Sequence, residues 1–307
     1  MKVLVTGGAG FIGSHLVDRL IQEGHKVIVV DNLVTGKRKN VHKLATFHKM
    51  DIQSAGLERI FQKEKPQLVC HYAAQIDIRK SVEDPVSDAK VNILGLISLL
   101  DFAVKNGTQR VIFASSGGAI YGEQSVFPAT EEHPTCPLSP YGISKLTSEY
   151  YLNYYGVSCG LKYTALRFAN VYGPRQFPLG EAGVVAIFTR QLLDGLQPVI
   201  NGNGMQTRDF VYVMDVIEAN MAVINGDING TFNVGTGKET SVHDLFNVLV
   251  EHTGTQAKPI YGARKEGEQL RSCLDHHKLS RTFGWEPSVS LKEGLIETIK
   301  FFRGLLN

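Results

Sequence analysis

Tyr141 and Lys145 stand four residues apart, directly after Pro140, in a stretch patterned as a helix. That spacing puts both side chains on one helix face, roughly 6 Å apart along the axis. A lone tyrosine titrates near ~10 and is a poor base at neutral pH. A neighbouring ammonium stabilises the phenolate and lowers that value. The pair is therefore suited to taking a proton from a hydroxyl group. A third polar group has to orient that hydroxyl, and Ser115-Ser116 close the preceding apolar run. An isolated Tyr-x-x-x-Lys reads equally well as an amphipathic helix with a packed tyrosine and a solvated lysine. What precedes the pair decides between the two.

What precedes it is Thr6-Gly7-Gly8-Ala9-Gly10-Phe11-Ile12-Gly13, between the short apolar run Lys2–Val5 and a helical pattern of Phe11, Ile12, Leu16, Val17, Leu20 and Ile21. This is a strand, a glycine turn and a helix. Gly7, Gly10 and Gly13 let the backbone turn tightly and approach a ligand, while the helix N-terminus offers free N–H groups to a pyrophosphate. The next strand, Lys26–Val30, runs into Asp31-Asn32, about twenty residues on, where an acid hydrogen-bonds a ribose diol and repels a 2′-phosphate. The pattern points to a dinucleotide and favours NAD over NADP. Lys37 and Arg38 are the opposing feature: they would hold a 2′-phosphate, or they belong to a solvated loop. An oxidised nicotinamide adds a positive charge beside the tyrosine, and Lys145 is in reach of its ribose.

Strand-like segments at Thr46–Met50, Gln67–His71, Arg110–Ser115 and Tyr163–Phe168 alternate with helical ones at Ala55–Glu64, Val86–Lys105 and Ser139–Tyr155. Such alternation specifies an α/β fold, a Rossmann-type doubly wound parallel sheet whose ligands bind at the carboxyl ends of the strands. Asp31, Asp51, Ala73-Ala74, Ser115-Ser116 and Asn170 fall at those ends. Asp51 alone is as well explained as a helix cap. Beyond Ala169, Gly173-Pro174-Arg175 and Pro178-Leu179-Gly180 break regular structure. Helices at Val184–Leu193, Val216–Ile224 and Val242–Thr253 and a strand at Phe210–Val213 then build a smaller mixed α/β lobe for substrate. We expect residues 1–170 to form the dinucleotide-binding domain and 171–307 mainly the second lobe. Strands within about 207–236, Thr231–Val234 among them, are expected to rejoin the first sheet.

The 307 residues bury an ample core. Hydrophobic content of 43% and charged content of 20% are ordinary for a soluble globular protein. A net charge of +2 without a basic tract argues against a nucleic-acid partner. Cys70, Cys136, Cys159 and Cys273 are scattered and read as reduced packing residues of a cytoplasmic protein. The ten histidines, His276-His277 included, make no HExxH or paired CxxC pattern, so no metal is expected. No apolar stretch reaches membrane-spanning length, and no signal-peptide pattern is present.

Together, Thr6-Gly7-Gly8-x-Gly10-Phe11-Ile12-Gly13, Ser115-Ser116, Tyr141-x-x-x-Lys145 and Asn170-Val171-Tyr172-Gly173-Pro174-Arg175 resemble the extended short-chain dehydrogenase/reductase family. Ser116-Gly117-Gly118-Ala119-Ile120-Tyr121-Gly122, the run Gly180–Phe188 and the closing Gly284-Trp285-x-Pro287 turn resemble its nucleotide-sugar 4-epimerase branch, bacterial UDP-glucose 4-epimerases in particular. The resemblance covers nearly the whole chain. It implies that Tyr141 takes the proton of the sugar C4 hydroxyl while NAD takes the C4 hydride, and that the 4-keto sugar turns over before the hydride returns. Ser116 would hydrogen-bond the C4 oxygen, with Ser115 as the alternative. Gly117-Gly118-Ala119-Ile120 lacks the acid that the dehydratase and decarboxylase branches carry before Tyr-Gly, which favours epimerisation.

By the same resemblance Thr35, Gly36, Tyr72, Ala73, Ala74, Asn92, Ser115 and Phe168 line the cofactor, with Asp51 and Ile52 at the adenine. Asn170 and Arg208 meet the substrate diphosphate, and Val185 lies in the substrate site. Three departures bear on the substrate. Asn201 replaces an aromatic near the nucleobase. Lys265 and Glu268 stand in place of the usual Arg-x-Gly-Asp, with Arg264 as an alternative clamp. Ser272 occupies a position that limits pocket size, leaving room for an N-acetyl group. A homodimer is implied, and a UDP-hexuronate or other nucleotide hexose is the alternative substrate. A dinucleotide-binding sensor without catalysis is the alternative of another class, disfavoured by the intact Tyr141, Lys145 and serine pair.

Overall fold

The computed structural model describes residues 1–178, 183–264 and 269–306. The first half runs β1 (Lys2–Thr6), α1 (Phe11–Gln22), β2 (Lys26–Asp31), β3 (Thr46–Lys49), α2 (Gly56–Glu64), β4 (Leu68–His71), α3 (Ile78–Glu83), α4 (Pro85–Ala89), α5 (Gly95–Lys105), β5 (Arg110–Ser116), α6 (Gly117–Ile120), α7 (Pro140–Cys159) and β6 (Lys162–Phe168). There follow β7 (Asn170–Tyr172), α8 (Val184–Leu193), β8 (Val199–Asn201), β9 (Thr207–Arg208), β10 (Phe210–Tyr212), α9 (Val213–Asn225), β11 (Gly230–Val234), β12 (Thr240–Ser241), α10 (Val242–Thr253), β13 (Ile260–Gly262), β14 (Arg271–Ser272), α11 (His277–Phe283) and α12 (Leu291–Gly304).

Seven parallel strands form one sheet in the order β11-β6-β5-β4-β1-β2-β3. Successive strand residues face opposite sides, so Val3 and Val5 point to one layer of helices and Leu4 to the other. Val3 and Val5 pack with Leu16, Val17 and Leu20 of α1 and Val216 and Ile217 of α9. Leu4 packs in the opposite layer with Leu57 and Phe61 of α2, Leu99 of α5 and Leu152 of α7. This is the Rossmann-type doubly wound sheet that the alternation specifies. Of the segment 207–236, β11 pairs with β6 in the main sheet, whereas β10 pairs with β7, and β9 with β12 and β14.

The helix expected over Val86–Lys105 is interrupted by a π turn at Lys90–Leu94, and Ile78–Glu83 adds a helix before it. A smaller core joins Tyr172, Val185, Phe188, Phe210, Phe246 and Leu295. The closing turn is pinned under α9, with the Trp285 indole donating to the Asp215 carbonyl at 3.0 Å. The Asp215 carboxylate accepts from Ser288 and Val289. No helix among the described residues is long and apolar enough to cross a membrane.

Candidate active site

Helix α7 starts where Pro140 supplies a preset φ and Ser139 accepts the Gly142 N–H at 3.2 Å. That start aims Tyr141 and Lys145 at the carboxyl end of β5. Lys145 is buried, donates to the Ala114 carbonyl at 2.8 Å, and lies 4.6 Å from the Phe113 ring centre and 5.8 Å from that of Tyr141. Burial lowers the Lys145 ammonium to about 8, against the opposing charges of Asp88 and Glu149. Burial also raises the Tyr141 phenol to about 12, offset by the neighbouring Ser116 hydroxyl and reinforced by the Asp88 charge. The sequence argument expected Lys145 to lower the phenol. In this chain desolvation outweighs that effect.

The two serines at the end of β5 point to opposite sides of the strand. Ser115 is buried and donates to Glu149 at 2.6 Å. Glu149 also receives a forked pair of bonds from Arg167, whose other nitrogen reaches the Tyr121 hydroxyl at 2.8 Å. Ser116 is the hydroxyl beside Tyr141.

The glycine turn packs as a cradle. Gly7 has φ +70°, and a side chain there would meet the backbone of Ala73 at 2.6 Å. One at Gly13 would meet the Gly7 carbonyl at 2.3 Å. Gly10 begins α1 with no side-chain cap, leaving the first N–H groups around Phe11 and Ile12 for a ligand. Asp31, buried at the end of β2, accepts from the N–H groups of Ala9 and Leu33 at 2.9 and 2.8 Å. A carboxylate offers roughly four acceptor sites, so capacity for a diol remains. Gly36 lies against Asp31 and Ala9 with room for no side chain, and Thr35 beside it is exposed. Asn32 donates to Asp51 at 2.8 Å. Burial alone would raise the Asp51 carboxyl, but bonds from Gln53 and Asn32 hold it below its usual range. Ile52 is buried against Gly95. Tyr72 stacks on Phe168 with ring centres 6.3 Å apart. Asn92 exchanges hydrogen bonds with the backbone of Gln75, which holds the loop of Ala73 and Ala74 in place. A cradle with no room for side chains, an uncapped helix end and a carboxylate with acceptor capacity left fit a dinucleotide.

In the second half, β14 lies parallel to β9 with Ser272 in register with Arg208. A Cβ on Gly118 would stand 4.0 Å from the Ser272 hydroxyl. Asn170 pairs in register with Phe210, and its N–H donates to the Asp209 carbonyl at 2.9 Å. Asp209 is a buried hub that accepts from Thr236, Gly237 and Leu274, tying β9, β11 and β14 together. Asn201 ends β8, half-buried, beside the turn against which Arg264 packs. Val185 is enclosed in the core of the second lobe, away from any open surface. Lys265, Glu268 and residues 179–182 lie outside the described residues.

Several polar residues around the site escaped the sequence argument: Asp88, Ser144, Glu149, Arg167 and His71. His71 shares a 2.7 Å hydrogen bond with Thr6 and is held neutral by burial and the Lys145 charge, its pKa lowered to about 3. Spacing offered a signal for two of them, since Asp88 precedes Asn92 by one helical turn and Glu149 follows Lys145 by one.

Comparison with known proteins agrees with this geometry. Residues 3–235 match the model of the NAD dependent epimerase/dehydratase family. A UDP-glucose 4-epimerase from Thermotoga maritima, solved with UDP-glucose, is 50% identical with a TM-score of 0.98, each chain covered in full. One from Thermus thermophilus, solved with NAD, is 45% identical with a TM-score of 0.95 over 99% of both chains. A UDP-N-acetylglucosamine 4-epimerase from Methanobrevibacter ruminantium is 36% identical with a TM-score of 0.94, over 99% of this chain and 98% of that one. A glycine cradle beside Asp31, a buried Lys145 next to a half-buried Tyr141, and a match over three quarters of its length place the chain in the NAD dependent epimerase/dehydratase family.

Proposed function

We propose that the protein is an NAD-dependent 4-epimerase of UDP-hexoses, interconverting the glucose and galactose forms and accepting their N-acetyl derivatives. The observation that carries this reading is the group Ser116, Tyr141 and Lys145 at the carboxyl end of β5, the sheet edge where the glycine turn and Asp31 also lie. A Cβ on Gly118, two residues after Ser116, would stand 4.0 Å from the Ser272 hydroxyl, and Ser272 is in register with Arg208 on paired strands. Solved relatives that act on UDP-glucose and on UDP-N-acetylglucosamine support the substrate class.

Gly7, Gly10, Phe11, Ile12 and Gly13 would hold the pyrophosphate of NAD, and Asp31, Asn32, Thr35 and Gly36 its ribose. Asp51 and Ile52 would flank the adenine, with Tyr72, Ala73, Ala74, Asn92 and Phe168 along the remainder. When bound, NAD supplies a transient acceptor for the C4 hydride, so net redox is zero. Tyr141, as phenolate, accepts the C4 hydroxyl proton and later returns it. Ser116 holds the C4 oxygen, and Lys145 supplies the positive charge that favours the phenolate. Asn170 and Arg208 grip the diphosphate, where a planar guanidinium suits phosphate oxygens. The sugar can then turn while its nucleotide stays fixed. Lys265 and Glu268 are assigned to the nucleotide on the sequence argument alone. The short helix α6, Gly117-Gly118-Ala119-Ile120, offers no carboxylate for elimination or decarboxylation. Residues 1–170 with β11 form the dinucleotide-binding half, and most of 171–307 the sugar-binding lobe.

Self-association belongs to this reading. Ile143, Tyr150, Tyr154 and Val157 form an exposed stripe along α7. Val86 and Leu94 stand exposed on the helix packed beside it, around an apolar groove of about 460 Å³. A contiguous apolar face of that kind suits a two-fold dimer. Four unbridged cysteines suit a reducing, cytoplasmic setting.

Incubating the purified protein with UDP-glucose, UDP-N-acetylglucosamine and UDP-glucuronate, without added cofactor, tests the proposal by proton NMR. New galacto-type anomeric signals are expected from the first two, and Tyr141→Phe should abolish them. Silence from all three with NAD supplied would move the assignment to another nucleotide sugar or to a binding protein.

A further inference from the structure

Asp88 has no place in the chemistry above, yet it is almost fully buried, with 1% of its surface exposed. Its carboxylate accepts from three elements at once: Gln75 at 2.9 Å from the loop after β4, Asn92 at 3.0 Å from the π turn, and Ser144 at 2.6 Å from α7. Ser144 directly precedes Lys145. Among the described residues no ion pair takes up the Asp88 charge, whereas the other buried carboxylate near Lys145, Glu149, is matched by Arg167. A buried carboxylate held only by neutral donors is expensive to keep. Asparagine would make most of the same hydrogen bonds without that cost.

We propose that Asp88 is a positioning residue of the reaction: through Ser144 it pegs the Tyr141–Lys145 helix to the cofactor-side loop, and it sets a buried carboxylate beside that pair. The proposal rests on the 4-epimerase reading. The groups facing Lys145 are Asp88 from α4, Glu149 from its own helix, Tyr141, and neutral His71 from β4. Those facing Tyr141 are Ser116 and Asp88. Asp88 is the one whose charge acts on both members of the pair, raising each, so removing it lowers each. The interruption of the helix at Lys90–Leu94 fits this role, because π turns commonly serve to aim side chains at functional sites.

Asp88→Asn and Ser144→Ala in the holoenzyme test it. Asp88→Asn should move both limbs of the kcat–pH profile to lower pH, with KM for the sugar little changed. At neutral pH its kcat should fall by roughly tenfold, less than the ~10²–10⁴-fold of a direct acid–base group. Ser144→Ala keeps the charge and loses the peg, so kcat should fall with the limbs in place. A folded Asp88→Asn with unmoved limbs would overturn the electrostatic role, and undiminished kcat in Ser144→Ala would overturn the peg even if Asp88→Asn fails to fold. Ultraviolet titration of the phenolate without sugar, with Tyr141→Phe as the blank, should show the same downward shift in Asp88→Asn. That readout judges Asp88 even if no UDP-hexose is turned over.

Discussion

Ser115 donates its hydroxyl hydrogen to the buried carboxylate of Glu149 at 2.6 Å, facing away from the neighbouring Ser116, which lies beside Tyr141. Strand alternation thus separates the two hydroxyls: one bonds a buried ion pair and the other lies beside Tyr141.

The first prediction follows from that separation. Ser115→Ala should cost about 1–3 kcal/mol of stability, since it strips one donor from a buried charge, and should leave kcat near its original value. Ser116→Ala should do the reverse, with an intact melting curve and a large loss of kcat. Denaturant unfolding and steady-state rates on both variants check it, and equal kcat losses would place both hydroxyls in the cleft.

The pH dependence follows from Lys145. Burial lowers its ammonium to about 8, against Asp88 and Glu149, so it is charged below that value and neutral above it. If the charge supports the Tyr141 phenolate, the rate should fall as pH rises through about 8. A profile that stays flat through this range would remove Lys145 from that role.

The phenol itself gives a third expectation. Burial first, then the Asp88 charge, lift Tyr141 to about 12 against the Ser116 hydrogen bond. Cofactor-free protein should therefore show no Tyr141 phenolate absorbance, relative to Tyr141→Phe, where free tyrosine titrates, near ~10. Adding the oxidised dinucleotide should bring the midpoint down, because a cation beside the phenol favours its charged form. A midpoint below that of free tyrosine in cofactor-free protein would contradict the burial argument.

The proposed acceptance of N-acetylated sugars is tested at Ser272, which is buried and stands 4.0 Å from where a Cβ on Gly118 would be. Ser272→Tyr should abolish turnover of N-acetylated sugars while retaining that of UDP-glucose. If both substrates are lost together, the variant has closed the cleft as a whole; if neither changes, Ser272 does not border the C2 group.

Self-association should depend on the apolar face of α7 and its neighbour. Val86→Glu with Tyr154→Glu should shift the protein to monomers in analytical ultracentrifugation, with its circular dichroism unchanged. A mass independent of these charges would put the contact elsewhere.

Sequence alone was enough for the αβ alternation, the glycine turn with Asp31, and the Tyr141–Lys145 spacing. Each of these is a local pattern: apolar periodicity sets the element type, glycine permits the turn, and four residues make one helical turn. Non-local pairing settled the rest. β11 joins the main sheet although β9 and β10, read with it, do not, because strand neighbours are chosen across the whole chain. Val185, read as a substrate contact, is buried in the second core that also holds Phe188, Phe210 and Tyr212. Only the folded chain separates Ser115 from Ser116, brings Ser272 alongside Arg208, and seals Asp88 and Glu149 in beside Lys145. Burial and charge neighbourhood are properties of the packed interior. The expected lowering of Tyr141 by Lys145 was sound chemistry for an exposed pair, and in the folded chain desolvation of the phenol outweighs it.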